Sequence, residues 1–124
     1  MPSLDLATTA EAVVRTASIM DSTDLAVIAT DNTGTILYWN THAESLFGWR
    51  SDEAVNRNVV DVTPGQQSAA EAANIMRELL AGRPWSGTFL VRHRDGTPLV
   101  VHVTDIPVLV DGSVAGIVGF SKRV

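Results

Sequence analysis

The run Leu25-Ala26-Val27-Ile28-Ala29-Thr30-Asp31-Asn32-Thr33-Gly34-Thr35-Ile36-Leu37-Tyr38-Trp39-Asn40 holds two apolar stretches separated by a polar turn that ends in glycine. Asp, Asn and Gly accept the backbone angles of a reversal, so residues 25–30 are expected to form a short buried strand and residues 35–39 its hairpin partner. The same turn chemistry recurs at Asp95-Gly96 and Asp111-Gly112, each inside a β-rich run. Trp85 to His93 then joins Leu99 to Ile106, and Ser113 to Ser121 follows, as an antiparallel meander with two tight connections. Five strands are expected, with one helical block between the first and second turns. That order predicts an α+β fold, a five-stranded antiparallel sheet with helices across one face.

Asn40, where the quoted run ends, suits a helix N-cap: its side chain can accept from a free first-turn amide, with Leu46-Phe47 toward the core and Gly48 as the stop. Residues 51–62 read as short irregular turns. Pro64-Gly65 breaks the chain before a longer helix from about Gln66 to Leu80, marked by Ala69, Ala72, Ala73, Met76 and Leu79 or Leu80, and ended by Gly82. Upstream, residues 4–21 read as an amphipathic helix with Leu6, Ala10, Val13, Ala17 and Met20 on one stripe. Such a stripe can pack on its own domain or on a second copy of the chain. On strand alternation Phe89, Val91, Val101 and Val103 share one face, and Leu90, Val100 and His102 the other. Both faces are partly apolar, so something must cover each.

A length of 124 residues suits one core and not two. Fourteen acidic against nine basic residues, with Lys and Arg scattered, oppose nucleic-acid binding. The absence of Cys closes disulfide, thiolate-metal and thiol-nucleophile chemistry and fits a reducing compartment. No apolar run approaches the roughly 18 residues of a membrane span, and Met1-Pro2-Ser3-Leu4-Asp5 is unlike a secretory signal, so a cytoplasmic location is expected.

Residues 24 to 121 resemble a PAS domain, the family of small sensory and dimerisation modules of signalling proteins. The resemblance rests on Asp31-x-x-Gly34-x-Ile36-x-x-x-Asn40, on Ala43-x-x-Leu46-Phe47-Gly48-Trp49 with Asp52-Glu53 just after, and on Gly82-x-Pro84-Trp85-x-Gly87. It continues through Arg94-Asp95-Gly96-Thr97 and Ile106-Pro107-Val108 to Gly112-x-Val114-x-Gly116. It implies a cavity between the sheet and the helices of residues 40–80, a PAS domain over 24–124, and residues 1–23 as a flanking amphipathic helix often used in dimer contacts. It also implies a regulatory module of a larger protein, such as a histidine kinase, a phosphatase, a cyclic-nucleotide enzyme or a transcription regulator. In this family an Asp-x-Thr element past the last strand commonly links to the effector. Here Arg123 stands about where that Asp would be, and the ending Ser121-Lys122-Arg123-Val124 suggests a domain cut from a longer polypeptide.

The resemblance also says which ligands to doubt. Flavin-binding light sensors of the family show Gly-Arg-Asn-Cys-Arg-Phe-Leu-Gln, and the corresponding run here is Asn56-Arg57-Asn58-Val59-Val60-Asp61-Val62-Thr63, with Val59 at the reactive cysteine. Val91, Val101 and Ser121 stand at the places of two Asn and a Gln that bond the flavin ring. Haem-binding members offer an axial His from the long helix, and residues 66–80 contain none; His42, His93 and His102 lie elsewhere and share no metal-ligand spacing. A flavin, haem or metal is not expected. The expected lining is Val59, Val62, Met76, Leu79, Phe89, Val91, Val101, Val103 and Ile117. Such a lining either closes into plain core, leaving a protein-interaction and dimerisation module, or holds a lipophilic ligand such as a fatty acid. Arg57 and Arg77 are candidate anchors for its polar end, and Asp105 is expected to emerge at the rim into water. No nucleophile, base and acid cluster suggestively, so no catalytic residues are assigned and the chain is read as regulatory, not an enzyme.

Overall fold

The Asp31–Gly34 reversal closes β1 (Ala26–Thr30) against β2 (Ile36–Trp39) in the computed structural model, which describes residues 6–21, 24–65 and 69–124. The turn is held by one side chain: the Asp31 carboxylate accepts from the amides of Thr33 (2.9 Å) and Thr35 (3.0 Å) and from the Thr33 hydroxyl (2.7 Å). Partial burial raises the affinity of this carboxyl for a proton, but these bonds together hold it below the ordinary carboxylate range.

Between β2 and the third strand run α2 (Thr41–Phe47), α3 (Ser51–Ala54), α4 (Val59–Val62) and α5 (Ala69–Leu80). Asn40 caps α2 as expected, accepting from the Ala43 amide at 2.8 Å, and Gly48 ends it in the left-handed region. Asn40 also does more. Its Oδ1 accepts from Val27 N at 2.9 Å, and its Nδ2 donates to Asp21 Oδ1 (2.8 Å) and Leu25 O (3.0 Å), so all four of its bonds are made in a site 7% exposed. At the far end of α5 the amides of Gly82 and Arg83 close back on the Leu79 and Glu78 carbonyls. The expected start of this helix at Gln66 lies outside the described residues.

β3 (Trp85–Arg92), β4 (Pro98–Val110) and β5 (Ser113–Arg123) complete a sheet of order β2-β1-β5-β4-β3, antiparallel throughout. β4 runs four residues past the expected end at Ile106. The reason is its neighbours: pairing with β3 stops at Trp85 opposite Asp105, so beyond that point β4 bonds only β5 and tolerates Pro107, which lacks an amide proton. Asp111 (φ 51°) and Gly112 (φ 82°) supply the two left-handed residues of the β4–β5 turn.

Strand alternation divides the core in two. On one face Ala26, Ile36, Trp39, Phe47, Val62, Val91, Leu99 and Val101 pack under the helices; on the other Val27, Ala29, Val108 and Val118 meet α1 (Leu6–Met20) through Val13 and Ala17, both fully buried. Val13 and Ala17, the middle of the expected stripe, therefore pack on the chain's own sheet. Leu4 and Asp5, in the expected start of this helix, lie outside the described residues, as does the side chain of Leu6. Close approach is possible because Gly116 lies beneath: a Cβ there would collide with the Thr30 carbonyl oxygen and stand 2.7 Å from a Val13 methyl. Burial of Val13 alone is worth about 1.5–3 kcal/mol.

Candidate ligand-binding cavity

Four strands and three helices leave a space unfilled between them. β1 lends Ile28 and Thr30, β3 Phe89 and Val91, β4 Val101, Val103 and Asp105, and β5 Ile117, Gly119 and Ser121; α2, α4 and α5 close it with Phe47, Val59, Val60, Ala72, Ile75, Met76 and Leu79, and Thr63 and Gly34 complete the wall. The cavity measures about 250 Å³, just under the range of about 300–1,000 Å³ typical of small-molecule sites. Its sheet wall follows from alternation: residues 101, 103 and 105 are every second residue of β4, and 117, 119 and 121 every second residue of β5. Phe89 is fixed by stacking on Trp85, with ring centroids 5.1 Å apart.

Of the residues expected from the sequence, Val59, Met76, Leu79, Phe89, Val91, Val101, Val103 and Ile117 line this space. Val62 does not. It is 1% exposed within the solid cluster of Ile36, Phe47 and Val91, because the single turn of α4 sends its end into that cluster and leaves only its start over the cavity. Sequence reading missed Ile28, Thr30 and Gly119, although period-two alternation in β1 and β5 carries all three. It also missed Ile75, one turn before Leu79 on α5.

Neither arginine named as an anchor reaches the cavity. The Arg57 guanidinium lies over the Trp49 ring, 5.4 Å from its centroid, and Arg77 donates to Asn74 Oδ1 at 3.2 Å. The expectation for Asp105 needs correcting as well. It does not emerge at the rim; it sits in the wall, only partly exposed, and burial pushes its carboxyl up to about 6. The reason is topological, since β4 continues five residues beyond it and β5 covers its flank.

The histidines stay outside. His42 is exposed on α2, His93 Nδ1 lies 3.0 Å from Asp95, and His102 Nε2 is 3.2 Å from Ser86 Oγ. Among the described residues no cluster of His, Asp and Glu is arranged to hold a metal. The four positions matched to flavin partners, Val59, Val91, Val101 and Ser121, all face the cavity, and only Ser121 carries a hydrogen-bonding group. These residues do not fit an isoalloxazine, whose polar edge would lose about 1–3 kcal/mol for each unmade bond.

Comparison with known proteins agrees with this architecture. The PAS fold family model matches residues 15–124. Among solved structures, the PAS domain of a protein from Colwellia psychrerythraea superposes with a TM-score of 0.70 at 22% identity, covering 89% of this chain and 94% of that one. The PAS domain of an HTR-like protein from Haloarcula marismortui gives 0.70 at 17% identity, over 92% and 93% of the two chains. A LOV protein of Rhodobacter sphaeroides gives 0.76 at 15% identity, with 98% of this chain matched to 69% of that one. With the family model spanning the sheet, the crossing helices and the last turns of α1, the chain belongs to the PAS family of sensory signalling domains.

Proposed function

We propose that this PAS domain senses a small lipophilic molecule in the cavity between its sheet and α4–α5, and passes occupancy to an effector domain of the same parent polypeptide. The observation that carries the reading is the cavity itself. Among the described residues about 250 Å³ lies unfilled against a mostly aliphatic wall, and an apolar guest seated there would bury that surface away from water. The aliphatic wall supports an acyl or alkyl chain, of the kind a fatty acid, fatty alcohol or fatty amine carries, as the buried part of that guest.

The outward step is a homodimer. Leu90 and Val100 are directly paired on the face away from the cavity and are 36% and 43% exposed, and Ile19 near the end of α1 is 72% exposed. Because Val13 and Ala17 are already buried on their own sheet, the contact falls to these residues beside α1. Guest binding that favours one packing of β3–β5 then biases the dimer, which requires different affinities for the two packings. No described helix is long and apolar enough to cross a membrane, which supports a cytoplasmic setting for a domain without cysteine.

The test is an absorption spectrum of the purified protein with mass spectrometry of its organic extract. A colourless protein that releases a lipophilic molecule in stoichiometric amount supports the sensor. Release of nothing makes this an interaction module, and visible bands of a flavin or haem overturn the cavity chemistry. Light scattering at high concentration tests the dimer, which a monomeric mass would refute.

A further inference from the structure

Among the described lining residues one ionisable group breaks the wall of the cavity. Trp85, Asp105, Gly119 and Ile28 form a row across four adjacent strands, each opposite the next. Asp105 leans over the glycine: its Oδ1 lies 2.6 Å from where a Cβ at residue 119 would stand. Among the described residues no hydrogen bond or ion pair reaches this carboxyl, and burial is the one influence on its proton affinity. The charged groups of the surrounding elements are turned away or engaged elsewhere. On α5 Arg77 bonds Asn74, Glu78 pairs with Arg83 and Glu71 is exposed; on β3 Arg92 donates to the Gly96 carbonyl; on β5 Lys122 and Arg123 are exposed.

Asp105 is only partly exposed, and a poorly solvated carboxylate with no partner from the chain is open to completion by a group entering the cavity. We propose that Asp105 is the polar anchor of the cavity, so that the guest is a small amphiphile presenting a hydrogen-bond donor, an amine or a hydroxyl, and not a carboxylate. This rests on the cavity being a ligand site and narrows what the site takes. A second carboxylate beside Asp105 would meet like charge in a poorly solvated wall, whereas an ammonium or hydroxyl supplies the missing donor. Thr30 and Ser121 on the same face add hydroxyls that can turn toward such a head group. Size limits the apolar part. At about 30 Å³ per water-sized unit, the cavity has room for about eight such units.

The test is isothermal titration of the delipidated protein at pH 7.5 with three probes sharing an eight-carbon chain: octylamine, 1-octanol and octanoate. The expected result is binding of the amine and the alcohol, with the amine at least about tenfold tighter than octanoate. In Asp105→Asn, the amine's advantage over octanoate should shrink to about threefold or less. Equal binding of all three by the unmodified protein, or tightest binding of octanoate, overturns the anchor while leaving the cavity as a lipophilic site. An unchanged ranking in the variant overturns it too. Failure of all three probes to bind at millimolar concentration overturns both the anchor and the cavity reading.

Discussion

The carboxyl of Asp105 occupies the space that a side chain at Gly119 would fill, with Oδ1 2.6 Å from the position of that absent Cβ. The two residues are opposed in the β4–β5 ladder, so the glycine is what admits an acid to the cavity wall. Its stability cost follows from its titration. Folding raises the Asp105 carboxyl from 3.8 to about 6, so the folded state binds the proton more tightly than the unfolded one. Well below pH 3.8 both states are protonated and the cost is absent; it grows between about pH 4 and 6 and levels off above that, at on the order of 3 kcal/mol.

Asp105→Asn, which stays neutral, should therefore stabilise the ligand-free protein by about 1–3 kcal/mol at pH 7.5, with the gain fading toward pH 4. Urea unfolding at both pH values measures this, and a gain independent of pH would contradict it.

Gly116→Ala should lever α1 off the sheet, because the added methyl meets a backbone oxygen that cannot yield as well as the Val13 side chain. A loss of about 1–3 kcal/mol is expected, with faster tryptic cleavage after the exposed Arg15 of α1. Unchanged cleavage would mean that α1 docks by other contacts.

Asn40→Ala removes a helix cap and strands the Val27 amide, while Asp21 loses one of two donors. The expected cost is about 2–4 kcal/mol. The other donor, the Tyr38 hydroxyl at 2.6 Å, has its pKa pushed up to about 12 by burial and then by its bond to and the charge of Asp21. Loss of Asn40 leaves Asp21 freer to move, so the absorbance titration of Tyr38 should shift downward in the variant.

Val103→Phe puts a ring into the cavity from a strand position that already faces it. The ligand-free variant should gain about 0.5–2 kcal/mol as the void is filled. Any guest recovered in the organic extract should fall at least tenfold, and undiminished recovery would locate the guest elsewhere.

Much of the frame was readable from local signals. The Asp31 turn, the Asn40 cap, the Gly48 and Gly82 stops and the period-two valines of β3 and β4 each act within a few residues. The order of strands and helical block placed helices across one face of the sheet, and the family resemblance, which rests on those same short motifs, implied the cavity beneath them. Errors arose where a residue's setting depends on distant chain. Val62 went to solid core, Asp105 into the wall and Arg57 over Trp49, and β4 outran Pro107 because β3 had already ended.

By itself the sequence determined five strands, their hairpins, the caps and which side chains share a strand face, since alternation and turn chemistry are properties of neighbours along the chain. Only the tertiary structure decided that α1 covers its own sheet, and that Gly119 makes room for an unpartnered acid among the valines. Those outcomes depend on which strands are brought side by side, and contacts across a 2-1-5-4-3 sheet join residues that no local pattern relates.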